Sequence, residues 1–169
     1  MYSLNVPPPS EVTALAQSLA RELPMARARA RGEHTLVAKR LGVGDRTDFH
    51  PVAARVRDAL AGTPTFEVRT DGIDYFAEDP VGPSPVVYLS IESPELYRLH
   101  RRLCDIIDPV ANFEGDDYTP HVTIARGGDI DAADRLAEQG ADPVTWTVTE
   151  LQFWDARRSL AAGTVSLPA

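Results

Sequence analysis

The order of the strand and helix patterns predicts an α+β fold. Short segments rich in β-branched residues alternate apolar and polar side chains, which is typical of strands, and four longer segments carry apolar residues at helical spacing. These segments follow the order βαβαββαβαββ, which mixes adjacent strands with strand–helix pairs. With 169 residues, 43% of them hydrophobic, the chain can bury one sizeable core, and we expect a single domain over residues 1–169.

The first half of the chain contains two strand–helix pairs. Residues Tyr2 to Val6 form an opening strand that three prolines end, and Ser10 to Pro24 carry a helical stripe between a capping serine and a proline. A second strand is predicted over residues 33–42. The second helix is expected to begin at Thr47 or Asp48, because either side chain can cap the first turn.

The second half of the chain has a similar organisation. Residues 65–76 alternate as strand segments around a turn or bulge at Asp71-Gly72, and another strand covers residues 86–92. Ser93 starts a third helix, and an acidic loop over residues 112–117 leads to the next strand. The remaining segments are predicted to be a helix at 131–139, one bulged strand or two strands at 145–154, and a final strand at 163–167.

The charge balance limits the partners that the protein can bind. The chain has 25 acidic and 17 basic residues, a net charge of -8, and Lys39 is its only lysine. Acidic chains with so little lysine resemble those of salt-loving microbes, which favours a haloarchaeal-type protein, although high genomic GC content alone also favours arginine and alanine. Long duplex nucleic acid requires a basic face, so we expect any nucleic acid that the protein binds to be held at one or two phosphates. The stretch Ala26 to Arg31 has no clear period and is expected to be a solvated loop.

The cysteine content and the hydropathy limit the compartment. Cys104 is the only cysteine, which excludes an intramolecular disulfide, and no Cys/His cluster has zinc spacing. No segment approaches the roughly 18 apolar residues of a membrane span. We therefore expect a cytoplasmic monomer that works away from membranes and needs neither a metal nor a cofactor.

The stretch from Tyr118 to Arg126 carries the most informative chemistry. A strand is expected to start after its proline, and alternation then turns His121 and Thr123 to one face and the apolar residues between them to a core. An imidazole and a hydroxyl on one face suit proton transfer beside an anion. A structural histidine at a strand start explains a lone His-x-Thr equally well, so the assignment depends on a partner.

Residues 34–39 supply that partner as a second copy of residues 121–126. The matching pairs are His34 with His121, Val37 with Ile124, Ala38 with Ala125, and Lys39 with Arg126. The offset is 87 residues (121 - 34), about half of the chain. Two such strands side by side would place two imidazoles on opposite walls of one cleft, which suits acid/base chemistry on phosphate. The repeat therefore predicts two similar lobes.

With these motifs the chain resembles the two-histidine (2H) phosphoesterase superfamily, which includes the LigT-like RNA 2′,3′-cyclic phosphodiesterases once called 2′-5′ RNA ligases. The family pattern is His-x-Thr/Ser in both motifs. The second motif matches it, whereas Leu36 occupies the hydroxyl position of the first and Thr35 lies one residue early. Matching the threonines instead would place Glu33 in the first histidine position. The internal repeat favours His34 for that position.

The resemblance implies a fold and a reaction. The fold would have two pseudo-symmetric lobes, each an antiparallel sheet with helices on its outer side, and an active cleft between them. The enzyme would open 2′,3′-cyclic phosphates on RNA ends or nucleotides to 2′-phosphates without a metal. His34 and His121 would act as base and acid, in an order that the sequence leaves open, and Thr123 would hydrogen-bond a phosphate oxygen.

Substrate binding is expected from three further residues, Lys39, Arg126 and Tyr118. Strict strand alternation turns the two cations away from the histidine face, so they reach a phosphate only where their strands end or twist. Two other functions remain open. One is 2′-5′ ligation at the same site, and the other is a non-catalytic module that binds RNA ends or nucleotides, which Leu36 in the first motif favours.

Overall fold

The computed structural model describes residues 1–169, and its architecture confirms the α+β class. The four α-helices are α1 (Ser10–Ala20), α2 (Arg46–Leu60), α3 (Pro94–Cys104) and α4 (Ile130–Gln139). The nine strands are β1 (Tyr2–Val6), β2 (Arg27–Ala28), β3 (Leu36–Arg40), β4 (Phe66–Phe76), β5 (Val86–Glu92), β6 (His121–Arg126), β7 (Thr145–Val148), β8 (Glu150–Asp155) and β9 (Leu160–Ser166). A short 3-10 helix, Gly115–Asp117, lies in the acidic loop.

All strands belong to one antiparallel sheet that consists of two four-stranded halves. The strand order is β7-β4-β5-β6-β3-β1-β8-β9, and the two-residue strand β2 pairs with β6 outside this path. The halves meet where β3 pairs with β6, and that pairing consists of Leu36 opposite Val122. The two predicted lobes are therefore the halves of one continuous sheet.

The helices cover one face of the sheet and enclose a single hydrophobic core. Helix α1 packs against β6, α4 packs against β4, and α3 packs against β3 and β4. In α2, the Phe49 ring stacks on Tyr2 of β1 with centroids 4.3 Å apart. The buried apolar residues of all these elements form one cluster. Burial of this face leaves the opposite face of the sheet for polar side chains.

Side-chain caps fix the starts of three helices. Ser93 caps α3 and Asp129 caps α4, each by accepting a hydrogen bond from a backbone amide of the first turn. In α2 the cap is Asp45, whose Oδ1 accepts from the amides of Thr47 and Asp48 at 2.9 and 3.0 Å. This helix therefore begins at Arg46, slightly before the predicted caps, because an earlier carboxylate satisfies both amides.

The strands follow the predicted order with three refinements. Residues 66–76 form one strand whose register shifts between Thr70 and Ile73, and Gly72 in the bulge has a positive φ of 83° that favours glycine. Residues 145–155 form two strands that lie in opposite halves of the sheet, β7 at one edge and β8 between β1 and β9. Strand β2 in the arginine-rich stretch was not predicted, because two residues are too few to show a period.

Strands β3 and β6 each contain a bulge at the same place. In β3, Val37 pairs with Asn5 and Lys39 pairs with the preceding residue of β1, so Ala38 is the extra residue. In β6, Thr123 and Ala125 pair with consecutive residues of β5, so Ile124 is the extra residue. An extra residue reverses the alternation of all side chains beyond it. The two bulges therefore make Ala38 equivalent to Ile124.

The bulges correct the register of the predicted repeat by one residue. The equivalent pairs are Thr35 with His121, Leu36 with Val122, Val37 with Thr123, Lys39 with Ala125, and Arg40 with Arg126. The offset is 86 residues (121 - 35), and Leu36 and Val122, which pair with each other, become equivalent as a pseudo-twofold axis requires. Gly42 and Gly128, also 86 apart (128 - 42), both have a positive φ. The predicted equivalence of His34 and His121 is therefore wrong.

Lys39 is fully buried in an ion pair beneath the sheet. Its Nζ lies 2.5 Å from Glu114 Oε2 and also donates to the carbonyl oxygens of Arg40 and Asp108. Burial alone would raise the pKa of Glu114, but hydrogen bonds from Lys39 and from the amides of Arg40 and Val110 outweigh it and lower the pKa. The expected binding role of Lys39 is contradicted, because its ammonium group is enclosed and paired.

The substitution Lys39→Met should destabilise the protein by about 3–5 kcal/mol, because it leaves the Glu114 carboxylate buried without a counter-charge. The free energy of unfolding is measured by urea titration. The double variant with Glu114→Gln should recover part of the loss, since no buried charge remains. A single variant as stable as the unmodified protein would show that the ion pair does not anchor this region.

Candidate active site

A cleft lies at the junction of β3 and β6, on the sheet face opposite the helices. Two cavities of about 180 and 270 Å³ open into it, and both are lined by Val37 and Arg40. His121 lines the first cavity, which we call the histidine half, and Thr35 lines the second, which we call the threonine half. Because they share lining residues, the two cavities form one cleft across the pseudo-twofold axis.

His121 is held in a defined orientation at the start of β6. Its Nδ1 lies 2.7 Å from the carbonyl oxygen of Thr119, which can only accept, so Nδ1 carries the proton and Nε2 has a free lone pair. The rings of Phe76 and Tyr88 lie 5.3 and 5.0 Å from the imidazole, centroid to centroid, and fix its position. This arrangement leaves Nε2 to accept a proton from a group in the cleft.

The surroundings of His121 keep its imidazole neutral. Burial lowers the pKa of His121, and the positive charges of Arg40, Arg126 and Arg29 lower it further. The hydrogen bond to Thr119 acts in the opposite direction but does not compensate. The ring is therefore in the base form at neutral pH.

The bulges bring two arginines to the cleft face. Arg126 lines the histidine half, and its guanidinium forms an ion pair with Asp79 in the loop between β4 and β5. Arg40 lies over the Phe113 ring, 5.0 Å from the centroid, and lines both halves. Strict alternation had turned Arg126 away from His121, and the extra residue Ile124 reverses that orientation. Two guanidinium groups on one face suit a phosphate.

Thr123 and Tyr118, the other two predicted site residues between Tyr118 and Arg126, are less accessible from the cleft than His121 and Arg126. Thr123 shares the strand face of His121 and pairs with Tyr88 of β5, but its side chain is buried and lines neither cavity. Tyr118 lines the histidine half, but its hydroxyl donates to the Val37 carbonyl at 2.8 Å and its ring stacks on His100 at 3.7 Å. The Tyr118 hydroxyl is therefore committed to the protein, and only its ring contacts the cleft.

His34 lies on the opposite side of β3 from the cleft. Glu33, Thr35 and Val37 line the cleft, whereas His34 and Leu36 between them are buried. His34 is 6% exposed, lines neither cavity, and has no hydrogen-bond partner at either ring nitrogen. The structure therefore brings His121 together with Arg126 and Tyr118 but separates His34 and Lys39 from them.

Three site residues were missed by sequence reasoning: Arg29, Arg40 and Asp79. A signal for Arg40 exists in the sequence, because Arg40-Leu41-Gly42 and Arg126-Gly127-Gly128 share an Arg-x-Gly pattern after each strand. Arg29 lies in the arginine-rich stretch, whose pairing with β6 only the tertiary structure shows. No local sequence pattern marks Asp79 as a site residue, because its ion pair with Arg126 depends on the position of the loop between β4 and β5.

The remaining candidate chemistry is structural. His100 Nδ1 donates to the Ala38 carbonyl, and its Nε2 accepts from the Gly115 amide at 3.0 Å and lies 3.4 Å from Cys104 Sγ. Because the amide already occupies the Nε2 lone pair, His100 is not a free base for Cys104. Burial raises the pKa of the Cys104 thiol, which keeps it protonated. No group of three or more metal-ligating side chains converges, and no helix is long and apolar enough to cross a membrane.

The sequence and the fold both resemble known proteins. TT0787 of Thermus thermophilus superposes with a TM-score of 0.66 at 18% identity, covering 98% of this chain and 97% of that one. Escherichia coli LigT complexed with ATP gives 0.68 at 16% identity, covering 99% and 97%, and its complex with 3′-AMP gives 0.62 at 19%, covering 99% and 98%. Comparison with curated proteins gave no match. The sequence profile of the 2′-5′ RNA ligase superfamily matches residues 41–160, well over half of the chain, and the chain belongs to that superfamily.

Proposed function

We propose that the protein is a phosphodiesterase that opens 2′,3′-cyclic phosphate ends of RNA or nucleotides to 2′-phosphates. The observation that carries the proposal is the neutral His121, whose Nε2 faces a cleft lined by Arg40 and Arg126. A base beside two cations suits attack on an anionic phosphodiester. The complexes of E. coli LigT with ATP, NADP+ and 3′-AMP support nucleotide binding in this fold.

The proposed reaction uses His121 as the general base. A water molecule gives a proton to Nε2 as its oxygen bonds to phosphorus, and the bond from phosphorus to the 3′ oxygen breaks. The departing 3′ oxygen acquires a proton from solvent, and His121 later releases its own proton to solvent. Arg40 and Arg126 stabilise the charge on the non-bridging oxygens, with Arg126 exchanging Asp79 for the phosphate. Thr123 is assigned a hydrogen bond to the phosphate, and Tyr118 a contact with the nucleoside.

The site departs from two-histidine chemistry in its first motif. Thr35 occupies the position equivalent to His121, and Val37 the position equivalent to Thr123. A threonine hydroxyl is too weak an acid and too weak a base to replace an imidazole at neutral pH, so the threonine half lacks the second histidine, whose acid/base role typically contributes about 10²–10⁴-fold in rate. The carboxylate that lines this half is that of Glu33. The lack of a second histidine specifically favours a second candidate function, a module that binds RNA ends or nucleotides without turnover. Ligation forming a 2′-5′ bond would use the same groups, with the 5′ hydroxyl of a second RNA end attacking phosphorus in place of water and the 3′ oxygen leaving.

The proposal extends to the setting in which the protein works. A net charge of -8 with a single lysine supports activity at high salt and weak binding to long duplex RNA or DNA. We assign the whole chain, residues 1–169, to one catalytic domain that acts as a monomer. Its partners would be RNA 3′ ends or small cyclic nucleotides.

The substitution His121→Asn should lower kcat on a 2′,3′-cyclic-phosphate oligonucleotide by about 100-fold or more, because it removes the general base. The matched variant His34→Asn should retain activity within a few-fold, because His34 lies outside the cleft. Formation of 2′-phosphate ends is followed at high salt without added metal, and folding is checked by circular dichroism. An inactive, folded His34→Asn variant would contradict the register of β3, and binding without turnover by the unmodified protein would favour the binding module.

Thr35→His should raise turnover by about 10-fold or more, because it places an imidazole at the position equivalent to His121. The same assay measures the gain, and Thr147→His on strand β7 serves as the control for adding a histidine elsewhere. Equal rates for the two variants would contradict the assignment of Thr35 to the first motif position.

Arg40→Ala should raise the pKa of His121, because it removes one of the positive charges that disfavour the imidazolium form. The titration of the His121 ring is followed by NMR in the free protein. The acid limb of kcat/KM should shift to higher pH in the same direction. Arg98→Ala, on the surface of α3, is the control that should leave the titration unchanged. A His121 pKa that stays constant or falls would show that Arg40 does not act on this ring.

A further inference from the structure

We infer that the threonine half of the cleft is a second phosphate subsite, which takes the internucleotide phosphate of an RNA end at least two nucleotides long. The inference rests on the proposed function, which places the terminal cyclic phosphate beside His121. It narrows the substrate class to oligonucleotide ends, because a single cyclic nucleotide carries no second phosphate.

The first observation is an unpartnered guanidinium. Arg29 is half-buried and lines the threonine half, yet its side chain has no carboxylate within 4.0 Å and no hydrogen-bond partner. Its backbone is fixed, since the Arg29 amide donates to the Ile124 carbonyl at 3.1 Å. Arg126 in the histidine half, in contrast, is paired with Asp79. The fold therefore holds one cation ready for an anion that the protein itself does not supply.

The second observation is the charge difference between the two halves. In the histidine half, the two arginines face three carboxylates, those of Glu78, Asp79 and Asp117. In the threonine half, Glu33 is the only carboxylate in the lining, although Arg40 also lies 3.9 Å from Glu114 Oε1 outside it. Arg29 and Arg126 also repel each other. A phosphate in the threonine half would relieve this repulsion, in a chain whose net charge is otherwise -8.

The third observation is a buried amide without partners. Asn5 of β1 is 3% exposed, and neither its Nδ2 nor its Oδ1 makes a hydrogen bond. It pairs with Val37, so it lies on the cleft face beside the position where the second motif has Thr123. A buried polar group without a partner is costly, and Asn5 Nδ2 can donate where Val37 has no hydroxyl. Asn5 itself lines neither cavity, and we assign it as the hydrogen-bond donor, on the cleft face of β1, that the first motif lacks.

The two halves are adjacent, which favours neighbouring phosphates of one strand. Arg40 lines both halves, so one guanidinium group borders both anion positions. Trp154 also lines the threonine half and offers an aromatic surface for the preceding nucleoside. A dinucleotide end would thus place its terminal phosphate at His121 and its internucleotide phosphate at Arg29.

The test uses two reaction products, adenosine 2′-monophosphate and the dinucleotide ApA with a terminal 2′-phosphate. Their affinities for the protein are compared by calorimetry. The dinucleotide should bind at least about 10-fold more tightly. A third ligand, in which an uncharged methylphosphonate replaces the internucleotide phosphate, should lose this advantage. Equal affinities of the first two ligands, or an advantage that survives the neutral linkage, would overturn the phosphate assignment.

Two variants tie the advantage to named residues. Arg29→Ala should reduce the ratio of dinucleotide to mononucleotide affinity to about one. It should also make the slope of log affinity against log salt concentration, measured for the dinucleotide, shallower by about 0.7. Arg27→Ala, on the same strand β2 and outside both cavities, is the control and should keep the ratio. Asn5→Ala should weaken dinucleotide binding yet raise the melting temperature, because it removes an unpaired buried amide. An unchanged ratio in Arg29→Ala would refute the subsite.

Binding of products separates this inference from the proposed function. If the unmodified protein binds the dinucleotide with the expected ratio but hydrolyses no cyclic phosphate, the subsite stands and the enzymatic proposal fails. If it hydrolyses cyclic phosphates but binds both products equally, the enzymatic proposal stands and the subsite fails.

Discussion

The pairing of Leu36 with Val122 is the constraint on which the rest of the cleft depends. It is the contact that joins β3 to β6 and thus one half of the sheet to the other. Because side chains alternate along a strand, this single pairing decides which residues of both strands face the cleft. The bulges at Ala38 and Ile124 then reverse the alternation, and the arginines that follow turn to the cleft. A cationic site arises where unbroken strands would have buried these side chains.

The buried ion pair beneath β3 connects this register to the orientation of His121. Glu114 accepts from Lys39 Nζ and from the amides of Arg40 and Val110, so one carboxylate fastens the loop after α3 to β3. The end of that loop carries Thr119, whose carbonyl selects the tautomer of His121. The compact ammonium group of Lys39 suits enclosure, since its three donors all find acceptors, whereas the planar guanidinium of its neighbour remains in the cleft. The two adjacent cations therefore have opposite roles, one structural and one functional.

The fold could be predicted from the sequence more completely than the site. Periods of two and of 3.6 residues, together with proline and capping residues, predicted the order of the elements, and the family pattern pointed to His121 and Thr123. The sequence pattern does not show where a bulge lies, and the six-residue repeat matches better at an offset of 87 than at 86, where only Arg40 and Arg126 are identical. The error of one residue was enough to exchange His34 for Thr35 and Lys39 for Arg40. Arg29 needed the pairing of β2 with β6, which no local pattern encodes.

A site with one imidazole must depend more on electrostatics than a site with two. In the proposed reaction His121 is the base, but the threonine half offers no imidazole to protonate a leaving oxygen, so stabilisation of the phosphate by fixed cations would become the larger contribution. The same cations raise affinity for the product, which carries more negative charge than the cyclic ester. Asp79 opposes this effect, because its carboxylate competes with the phosphate for Arg126. Under the proposed function, the balance between the loop that carries Asp79 and the arginines of β3 and β6 would therefore decide whether RNA ends are released or retained.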